Sequence, residues 1–388
     1  MKKNLFPKFT TVISLYYISY AVIYGFVTVF MQYRHFTNTE IGLSLACASV
    51  LCILLQYFSG SFLDRHPDLS VKTIMLISFI LVYGICIILF LVKMKWLIFF
   101  SYTIVGAIML AGASFSNMFG MEYLNSNIPL NYSLARGIGS FCFAGTSLLM
   151  GSIIKLFSVM SIFPVFFIVH LLLLLSLLFI HPAPRSLYDN PLHKEHKKKM
   201  DPLFLFLLAS LLLVYISYTS VYNFQINIVT AVGGGSQEMG ISNCIAAMLE
   251  LPAMALFIPL SKKFSYGTLL KTSCLFFFFK ITAFYFADHI WGIYLAQCLQ
   301  FFSYGLFVPA SSYFINSILL PQDKSKGQSA LGIFTFGLSG LISSLLSGIL
   351  LDLFTVKTML ALESLLTFIG VIGVFIACHF MQTSKSKI

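Results

Sequence analysis

Twelve long apolar segments, separated by short polar breaks, account for almost the whole chain. A helix that crosses the hydrocarbon core of a bilayer needs about 20 mostly apolar residues. The pattern therefore predicts an all-α membrane protein with twelve transmembrane helices, which we number as spans in chain order. Spans 1 to 6 are predicted at 10–33, 40–62, 71–92, 96–120, 132–156 and 159–180. Spans 7 to 12 are predicted at 203–230, 237–260, 267–288, 290–318, 328–351 and 357–380.

The composition excludes a protein that folds in water. Hydrophobic residues make up 59% of the chain and charged residues 10%, against roughly 45–50% and 25% in soluble domains. The net charge of +11 comes mainly from short gaps between spans, so it indicates membrane topology rather than binding to nucleic acid. The eight cysteines lie inside apolar segments without metal-binding spacing, and no cofactor is predicted.

The longest polar stretch divides the chain near its midpoint. It predicts an N-terminal six-helix bundle at 1–180, a basic cytoplasmic linker at 181–201 and a C-terminal six-helix bundle at 202–388. With the N-terminus inside, 18 Lys and Arg residues fall on the cytoplasmic side, 5 outside and Lys280 within the membrane. Since cytoplasmic loops retain positive charge, we expect a multi-pass cell-membrane protein with both termini cytoplasmic. The first apolar run has no small-residue cleavage site and is expected to be span 1, not a signal peptide.

Two short motifs recur at a nearly constant interval. Thr-Glu-Ile-Gly-Leu-Ser at 39–44 is echoed by Gln-Glu-Met-Gly-Ile-Ser at 237–242, 198 residues later. Leu-Met-Gly at 149–151, followed by Phe157, is echoed by Leu-Ser-Gly at 346–348, followed by Phe354, 197 residues later. Equal offsets of half the chain indicate two pseudo-symmetric six-helix bundles. Such an architecture places a binding site between the halves near mid-membrane.

A charged motif follows span 2. The segment 60–65 reads Gly-Ser-Phe-Leu-Asp-Arg and places Asp64 and Arg65 at the junction of helix and loop. A carboxylate and a guanidinium there can lock two helices in one state and release them in another. Gly60, one turn earlier, permits close helix approach. We expect Gly60, Asp64 and Arg65 to form a conformational gate; the alternative is a pair of solvated loop charges.

The same segment resembles the G-x-x-x-D-[RK] signature of the major facilitator superfamily. Two further motifs, Leu-Leu-Gln at 54–56 and Ala-Arg-Gly-Ile-Gly-Ser at 135–140, resemble motifs of one branch of this superfamily, the branch that includes lactose permease and nucleoside permeases. The sequence departs from the signature after Arg65, where His-Pro-Asp replaces the usual Gly and basic residues. The resemblance covers nearly the whole chain and implies the major facilitator fold and transport by alternating access.

Two charges lie deep inside predicted spans. Glu250 is about ten residues before the turn between spans 8 and 9, and Lys280 slightly over ten after it. Because a charge at the bilayer centre costs roughly 2.5–3.5 kcal/mol, we expect these two residues to form an ion pair that a proton or a polar solute breaks during transport. The alternative is a fixed pair that staples two helices. The resemblance implies similar charges in spans 8 and 9, but Gln300 and Ser303 replace the His and Glu used for proton coupling in span 10.

Further polar residues are candidates for solute binding. Glu122 and Arg136 flank the turn between spans 4 and 5, and the resemblance implies that such a pair holds a sugar; an interfacial charge is the alternative for Glu122. Tyrosines and amides in spans 1, 2 and 7 can stack on a ring and bond its hydroxyls, although tyrosines are also common at membrane interfaces. The predicted substrate-binding set is Tyr24, Gln56, Glu122, Arg136, Tyr222, Asn223 and Gln300.

Two ionisable residues carry weaker evidence. We expect His170 in span 6 to bond a neighbouring helix, and Glu363 in span 12 to extend to the membrane interface.

These features predict a monomeric secondary transporter, with a small polar solute, protons and membrane lipid as partners. The expected solute is a sugar, oligosaccharide or nucleoside, and the expected mechanism is proton-coupled symport. A multidrug or metabolite exporter of the same superfamily is an alternative, although span 5 lacks the proline of the exporter glycine motif. A nutrient sensor that no longer transports is another. A membrane enzyme would need a catalytic cluster at one face, and the sequence shows no such cluster.

Overall fold

A computed structural model describes residues 5–66, 69–126, 128–182, 201–320 and 323–385 of the protein. Helices joined by short turns make up this part of the chain, and it contains no strand.

The first half holds spans 1 to 6. Span 1 is interrupted and consists of Leu5–Ile23 and Val27–Tyr33. Spans 2 to 6 are the helices Asn38–Arg65, Val71–Leu91, Lys95–Asn125, Tyr132–Leu156 and Ile162–Phe179, the last preceded by a 3₁₀ turn at Val159–Ser161.

The second half holds spans 7 to 12. Span 7 consists of Pro202–Asn223 and Gln225–Ala231, span 8 is Ser236–Ser261 and span 9 is Tyr266–Phe286. Span 10 is broken into Ile290–Cys298 and Tyr304–Ile318. Span 11 runs through Lys324–Gly332, a π-helical turn at Ile333–Leu338 and Ser339–Leu353, and span 12 is Val356–Lys385.

The predicted fold class is confirmed. Eleven helices in the described residues are long and apolar enough to cross a membrane, and the twelfth span, predicted at 290–318, is the broken span 10. Its two pieces are each too short to qualify alone because the helix is interrupted at 299–303. Most of the predicted linker, residues 183–200, lies outside the described residues, so the division at 181–201 stays a prediction.

Polar residues just before the helices explain where several spans begin. The Thr37 side chain accepts from the backbone of Glu40, whose carboxylate in turn accepts from the Thr37 backbone, which makes a capping box for span 2. Ser70 and Ser265 cap spans 3 and 9 through their hydroxyls. The Asp201 carboxylate caps span 7 by accepting from the Leu203 N–H, and proline is the first residue of that helix.

The alternation of spans gives the protein two faces. The closed face carries the turns 34–37, 92–94, 157–158, 232–235, 287–289 and 354–355. The terminal face carries both ends of the described chain and the other turns. The three ion pairs among the described residues, Lys95–Glu40, Lys155–Glu238 and Lys357–Asp288, all lie on the closed face. Hydrogen bonding to Lys357 lowers the pKa of the exposed Asp288 carboxyl.

Spans 2 and 11 meet through glycine on the closed face. A Cβ added at Gly42 would lie 2.1 Å from the Ser344 carbonyl oxygen and 3.3 Å from the Gly348 Cα. A Cβ added at Gly348 would lie 2.4 Å from the Asn38 carbonyl oxygen. Only glycine permits backbones to approach this closely. We call this contact the 2/11 seam.

Spans 5 and 8 repeat the arrangement. A Cβ added at Gly240 would lie 2.3 Å from the Ser147 carbonyl oxygen, and one added at Gly151 would lie 2.4 Å from the Ser236 carbonyl oxygen. We call this contact the 5/8 seam. The glycines of both seams belong to the two repeated sequence motifs. The repeats therefore correspond to equivalent contacts between the halves.

Polar contacts reinforce both seams at equivalent positions. In the 2/11 seam, the Asp352 carboxylate accepts from the backbone N–H groups of Asn38 at 3.0 Å and Thr39 at 2.7 Å. These N–H groups are at the start of span 2, where a helix favours an anion. In the 5/8 seam, Lys155 Nζ donates to Gln237 Oε1 at 2.6 Å. Asp352 and Lys155 both lie four residues after a seam glycine.

The halves diverge toward the terminal face. A Cβ added at Gly337 would lie 2.5 Å from Ile53 Cδ1, so spans 2 and 11 are still in contact at this level. Further along the same two spans, neither Gly60 nor Gly332 has any described atom of another element within 4 Å of an added Cβ. The close backbone contact between spans 2 and 11 is therefore found at the closed face and is not repeated at Gly60 or Gly332.

Replacing Gly42 with Val is expected to open the closed face. The added side chain meets backbone, and such overpacking costs about 1–3 kcal/mol, equivalent to about a 5- to 150-fold shift between two states. A Ser344→Cys reporter, buried in the parent, is expected to react with a water-soluble maleimide faster by a factor in that range. Gly84→Val is the matched control, since an added Cβ there has no described neighbour within 4 Å. Equal rates for the two valine variants would contradict the seam.

Candidate functional site

A cavity of about 50 Å³ lies among the helices of the second half, with one residue of the first half on its wall. Span 5 contributes Phe143, and spans 7 to 10 contribute the rest: Tyr218, Val221, Tyr222, Gln225, Asn243, Ala246, Ala247, Glu250, Lys280, Ile281, Gln297 and Gln300. The volume is enough for a few water molecules. A smaller space of about 10 Å³ adjoins it between spans 1, 7 and 8 and shares Tyr222 and Gln225.

Gln300 connects the two charged residues of the cavity. Its Nε2 donates to Glu250 Oε1 at 2.8 Å, and its Oε1 accepts a hydrogen bond from Lys280 Nζ. The direct contact predicted between Glu250 and Lys280 is therefore replaced by a bridge, because the amide lies between the two groups. An amide suits this position, since it offers an acceptor to the ammonium and a donor to the carboxylate.

Lys280 is buried, with 3% of its surface exposed. Its ammonium lies 5.9 Å from the ring centroid of Tyr218 and 5.7 Å from that of Phe284. Ring faces attract a cation at this distance. The aromatic side chains and the Gln300 amide together replace the water that the ammonium lost.

The break in span 10 positions Gln300. The Gly305 N–H bonds the Gln300 carbonyl at 3.0 Å, five residues earlier, which is a π-type turn. A Cβ added at Gly305 would lie 2.5 Å from Ala253 Cβ and 3.4 Å from Glu250 Cα. Glycine therefore lets span 10 approach span 8 closely, and the wide turn places the amide against the Glu250 carboxylate.

Arg136 reaches the same region from the first half. Its guanidinium is partly buried and interacts electrostatically with the hydroxyls of Tyr17, Tyr132 and Tyr304 and with the Glu250 carboxylate. The adjacent Gly137 allows contact with span 8. Arg136 lines neither cavity, and its electrostatic interaction with Glu250 links the two halves beside them.

Tyr24 and Asn223 lie together beside the smaller space. Tyr24 stacks on Tyr20, with ring centroids 5.1 Å apart. Asn223 Nδ2 donates to Ser344 Oγ at 2.9 Å, and its carbonyl accepts from Thr28 Oγ1 at 2.5 Å. Asn223 therefore links spans 1, 7 and 11. It is the last residue before span 7 is interrupted at position 224. Span 1 is interrupted at 24–26, so the two interruptions are 198 to 200 residues apart.

Gln56 and Glu122 do not line either cavity. Gln56 Nε2 donates to Cys52 Sγ at 3.1 Å, within its own helix. Glu122 Oε1 accepts from the Val71 N–H at 3.1 Å. The first N–H groups of span 3 need acceptors that the helix does not supply, so Glu122 caps that helix and forms no ion pair with Arg136.

The gate motif forms the last turns of a helix. Span 2 continues to Arg65, beyond the predicted end at 62, so Gly60 and Arg65 are in its last turns at the terminal face. Arg65 is exposed, and the side chain of Asp64 lies outside the described residues. The gate stays a prediction.

Two polar residues of the cavity were not predicted. Gln297 Nε2 donates to Ser242 Oγ at 3.0 Å, and Asn243 lines the cavity wall. Helical spacing was an available signal, because Gln297 is three residues before Gln300 and Asn243 is seven before Glu250. His170 bonds Ser19 at 2.6 Å and the Phe79 carbonyl at 3.0 Å, which confirms the expected helix contact. Among the described residues, no group of three His, Cys, Asp or Glu could hold a metal ion.

Neutralising Glu250 alone is expected to destabilise the protein more than neutralising it together with Lys280. In Glu250→Gln the buried ammonium keeps an amide but loses the nearby carboxylate, at a cost of about 1–3 kcal/mol. The double variant Glu250→Gln/Lys280→Gln removes both charges and regains part of that loss. Thermal unfolding in detergent measures the difference. Equal melting temperatures for the single and double variants would show that the two charges are independent.

The sequence profile of the MFS_1 like family matches residues 8–362. Among curated proteins, none matches the sequence significantly. A mutant of the nucleoside transporter NupG is similar in structure, with a TM-score of 0.80 and 12% identity over 97% of this chain and 100% of that one. Unmutated NupG gives 0.76 and 13% over 96% and 99%.

A bacterial homologue of the human lysosomal transporter Spinster, solved inward-facing and unoccupied, gives a TM-score of 0.70 and 14% identity over 98% of each chain. Identities this low establish only the shared fold, whereas the profile match covers most of the chain. The protein therefore belongs to the MFS_1 like family and is a multi-pass membrane transporter of the major facilitator superfamily, not an enzyme.

Proposed function

We propose that the protein is a proton-coupled symporter for a small polar solute of the nucleoside or sugar class. The observation that carries the proposal is the bridge from Lys280 through Gln300 to Glu250, in a cavity of the second half that Phe143 of the first half also lines. Buried charges held by a neutral amide are a costly arrangement for a purely structural role, because apolar residues would fill the space without desolvating an ion.

The Gln300 amide makes hydrogen bonds that a polar solute could make in its place. The Gln300 amide offers an acceptor to an ammonium and a donor to a carboxylate, and a nucleobase edge or a pair of sugar hydroxyls offers the same combination. A solute that displaces the amide would satisfy both charges. The rings of Tyr218 and Tyr222 on the same cavity provide surfaces for stacking.

Binding at this site is suited to move the halves. Arg136 comes from the first half and Glu250 from the second, and each interacts with the other across the interface. A polar solute between them would bond both, so its presence changes the relative free energy of the two arrangements. Rocking about the cavity then separates the 2/11 and 5/8 seams and closes the terminal face.

The proposal includes membrane orientation and assembly. We assign the terminal face to the cytoplasm of a cell membrane, because it carries most of the Lys and Arg residues, and we assign transport to the monomer. The fold shared with a nucleoside transporter favours nucleosides as the first solutes to test.

Uptake into proteoliposomes tests the proposal. With an imposed inward proton gradient, at least one member of a radiolabelled panel of nucleosides and sugars is expected to accumulate. Lys280→Met is expected to reduce that uptake by about tenfold or more, the effect of losing one charged hydrogen bond of about 1.5–3 kcal/mol.

Lys271→Met is the matched control, because Lys271 is in the same span but lies over the Phe375 ring at 5.5 Å, away from the cavity. Normal uptake by Lys280→Met would reject the assigned site. Equal uptake with and without the proton gradient would indicate a facilitator. If no compound of the panel is taken up, an exporter or a non-transporting sensor is favoured.

A further inference from the structure

Two amide side chains on the cavity wall have hydrogen-bonding groups that the protein leaves unused. Gln297 is 3% exposed and Asn243 is 7% exposed, and both line the cavity. Gln297 Oε1 is buried without a hydrogen-bond partner. The Asn243 side chain forms no hydrogen bond with any described residue. Neither side chain takes part in the bridge from Lys280 to Glu250.

Two other amides between the spans are partnered through both nitrogen and oxygen. Gln300 bonds the two charged residues of the bridge. Near the closed face, Asn227 Nδ2 donates to Asn38 Oδ1 at 2.9 Å, and Asn227 Oδ1 accepts from Gln32 Nε2 at 2.9 Å. A buried polar atom without a partner costs free energy, so such atoms are rare in folded proteins. On a cavity wall, a bound molecule can supply the missing partners.

The Gln297 side chain is held in a fixed position. Its Nε2 donates to Ser242 Oγ at 3.0 Å, and Gln225 Nε2 donates to the same oxygen at 2.7 Å. Ser242 therefore connects spans 7, 8 and 10. Turning the Gln297 amide over would place its oxygen on Ser242 and leave its nitrogen without a partner. In either orientation, one polar atom of this amide is unpaired.

The two amides lie on the closed-face side of the charged bridge. Spans 8 and 10 both start at the closed face. In span 8, Asn243 precedes Glu250 by seven residues, or about 10 Å along a helix. In span 10, Gln297 precedes Gln300 by about one turn. The cavity therefore has an amide end, Asn243 and Gln297, toward the closed face, and the charged bridge toward the terminal face.

The amide end suits a planar edge that carries a hydrogen-bond donor beside an acceptor. Gln297 Oε1 needs a donor, and the Asn243 side chain supplies both a donor and an acceptor. Asn and Gln bind nucleobase edges through this combination, because N–H and C=O groups alternate along the edge of a base. Tyr218 and Tyr222 line the same cavity and offer ring faces for stacking. An apolar solute would leave both amides unpaired.

We propose that Asn243 and Gln297 determine solute specificity by binding the hydrogen-bonding edge of a nucleobase. Gln297 Oε1 accepts from a ring N–H of the base, and the Asn243 side chain donates to the adjacent carbonyl. This inference rests on the proposed function and narrows its solute from the nucleoside or sugar class to nucleosides. The cavity has room for a few water molecules, so the solute enters when the Gln300 side chain moves aside.

Binding of uridine and 3-methyluridine tests the amide end. The uracil ring presents an imide N–H between two carbonyl groups, and 3-methyluridine lacks that donor. The shift in thermal unfolding of the full-length protein in detergent, measured at increasing ligand concentration, gives the Kd of each compound. The wild-type protein is expected to bind uridine about two- to tenfold more tightly, the effect of one neutral hydrogen bond. No stabilisation by uridine would overturn the proposal.

Gln297→Met is expected to weaken uridine binding by that factor and to leave 3-methyluridine binding unchanged, so the preference disappears. Asn316→Leu is the matched control and should keep the preference, because Asn316 is an exposed amide of the same span that bonds Gln328 near the terminal face. If Gln297→Met weakens the binding of both compounds equally, Gln297 has only a structural role and the proposal is overturned.

Asn243→Leu separates binding from folding. Because Asn243 has no partner among the described residues, the leucine variant without ligand is expected to unfold at the wild-type temperature or above it. Its binding of both compounds is expected to be about two- to tenfold weaker, since the carbonyl that Asn243 would bond is present in each. Wild-type affinity for uridine in this variant would contradict the assignment of Asn243.

Uptake into proteoliposomes distinguishes this inference from the proposed function. Stabilisation and uptake of a sugar, without stabilisation by uridine, would overturn the nucleobase assignment and leave the proposed function in place. Stabilisation by uridine with the Gln297→Met preference lost, but without uptake of any compound, would support the nucleobase assignment and reject the proposed transport.

Discussion

Direct backbone contact between the halves is the constraint on which the rest of the structure depends. At Gly42, Gly348, Gly151 and Gly240 an added Cβ would overlap a carbonyl oxygen of the facing helix. Such a contact is lost as soon as the two helices move apart, because the backbone has no flexible side chain that could stay in contact with the facing helix. Contact of this kind favours an interface that is either sealed or separated, which is the property that the proposed alternating access requires.

The polar groups inside the protein are arranged around that constraint. Gln300 reaches Glu250 because span 10 breaks at 299–303 and Gly305 lets it approach span 8. Asn223 contacts both Thr28 and Ser344 because spans 1 and 7 are interrupted at equivalent depths. In a membrane, interrupted helices are tolerated where the freed backbone is buried in protein or lines a cavity. The interruptions and the charges consequently occur together, beside the interface and away from lipid.

The sequence predicted the spans well and the rotation of the helices poorly. Apolar length determines where a helix enters and leaves the bilayer, so the predicted ends lie within a few residues of those observed for most spans. Depth also follows from counting, and Glu250 and Lys280 bond the two ends of one Gln300 amide. The Gln300 bridge could not be predicted, because it depends on a π-type turn that has no hydrophobic pattern. Glu363 was expected at the membrane interface and is fully buried, because a helix apolar on every side does not show which side faces protein. Glu122 accepts from the start of span 3 at the terminal face, which agrees with the interfacial alternative and not with a role in binding solute.

The proposed transport requires the two faces to open alternately around the Glu250–Gln300–Lys280 site. Spin labels at Phe157 and Phe354 report the closed face, and labels at Phe179 and Leu320 report the terminal face, since all four side chains are exposed. Distances measured by electron–electron double resonance in nanodiscs, across a series of pH and solute conditions, test the claim directly. Conditions that lengthen the Phe157–Phe354 distance are expected to shorten the Phe179–Leu320 distance. Distances that change together, or only one that changes, would contradict it.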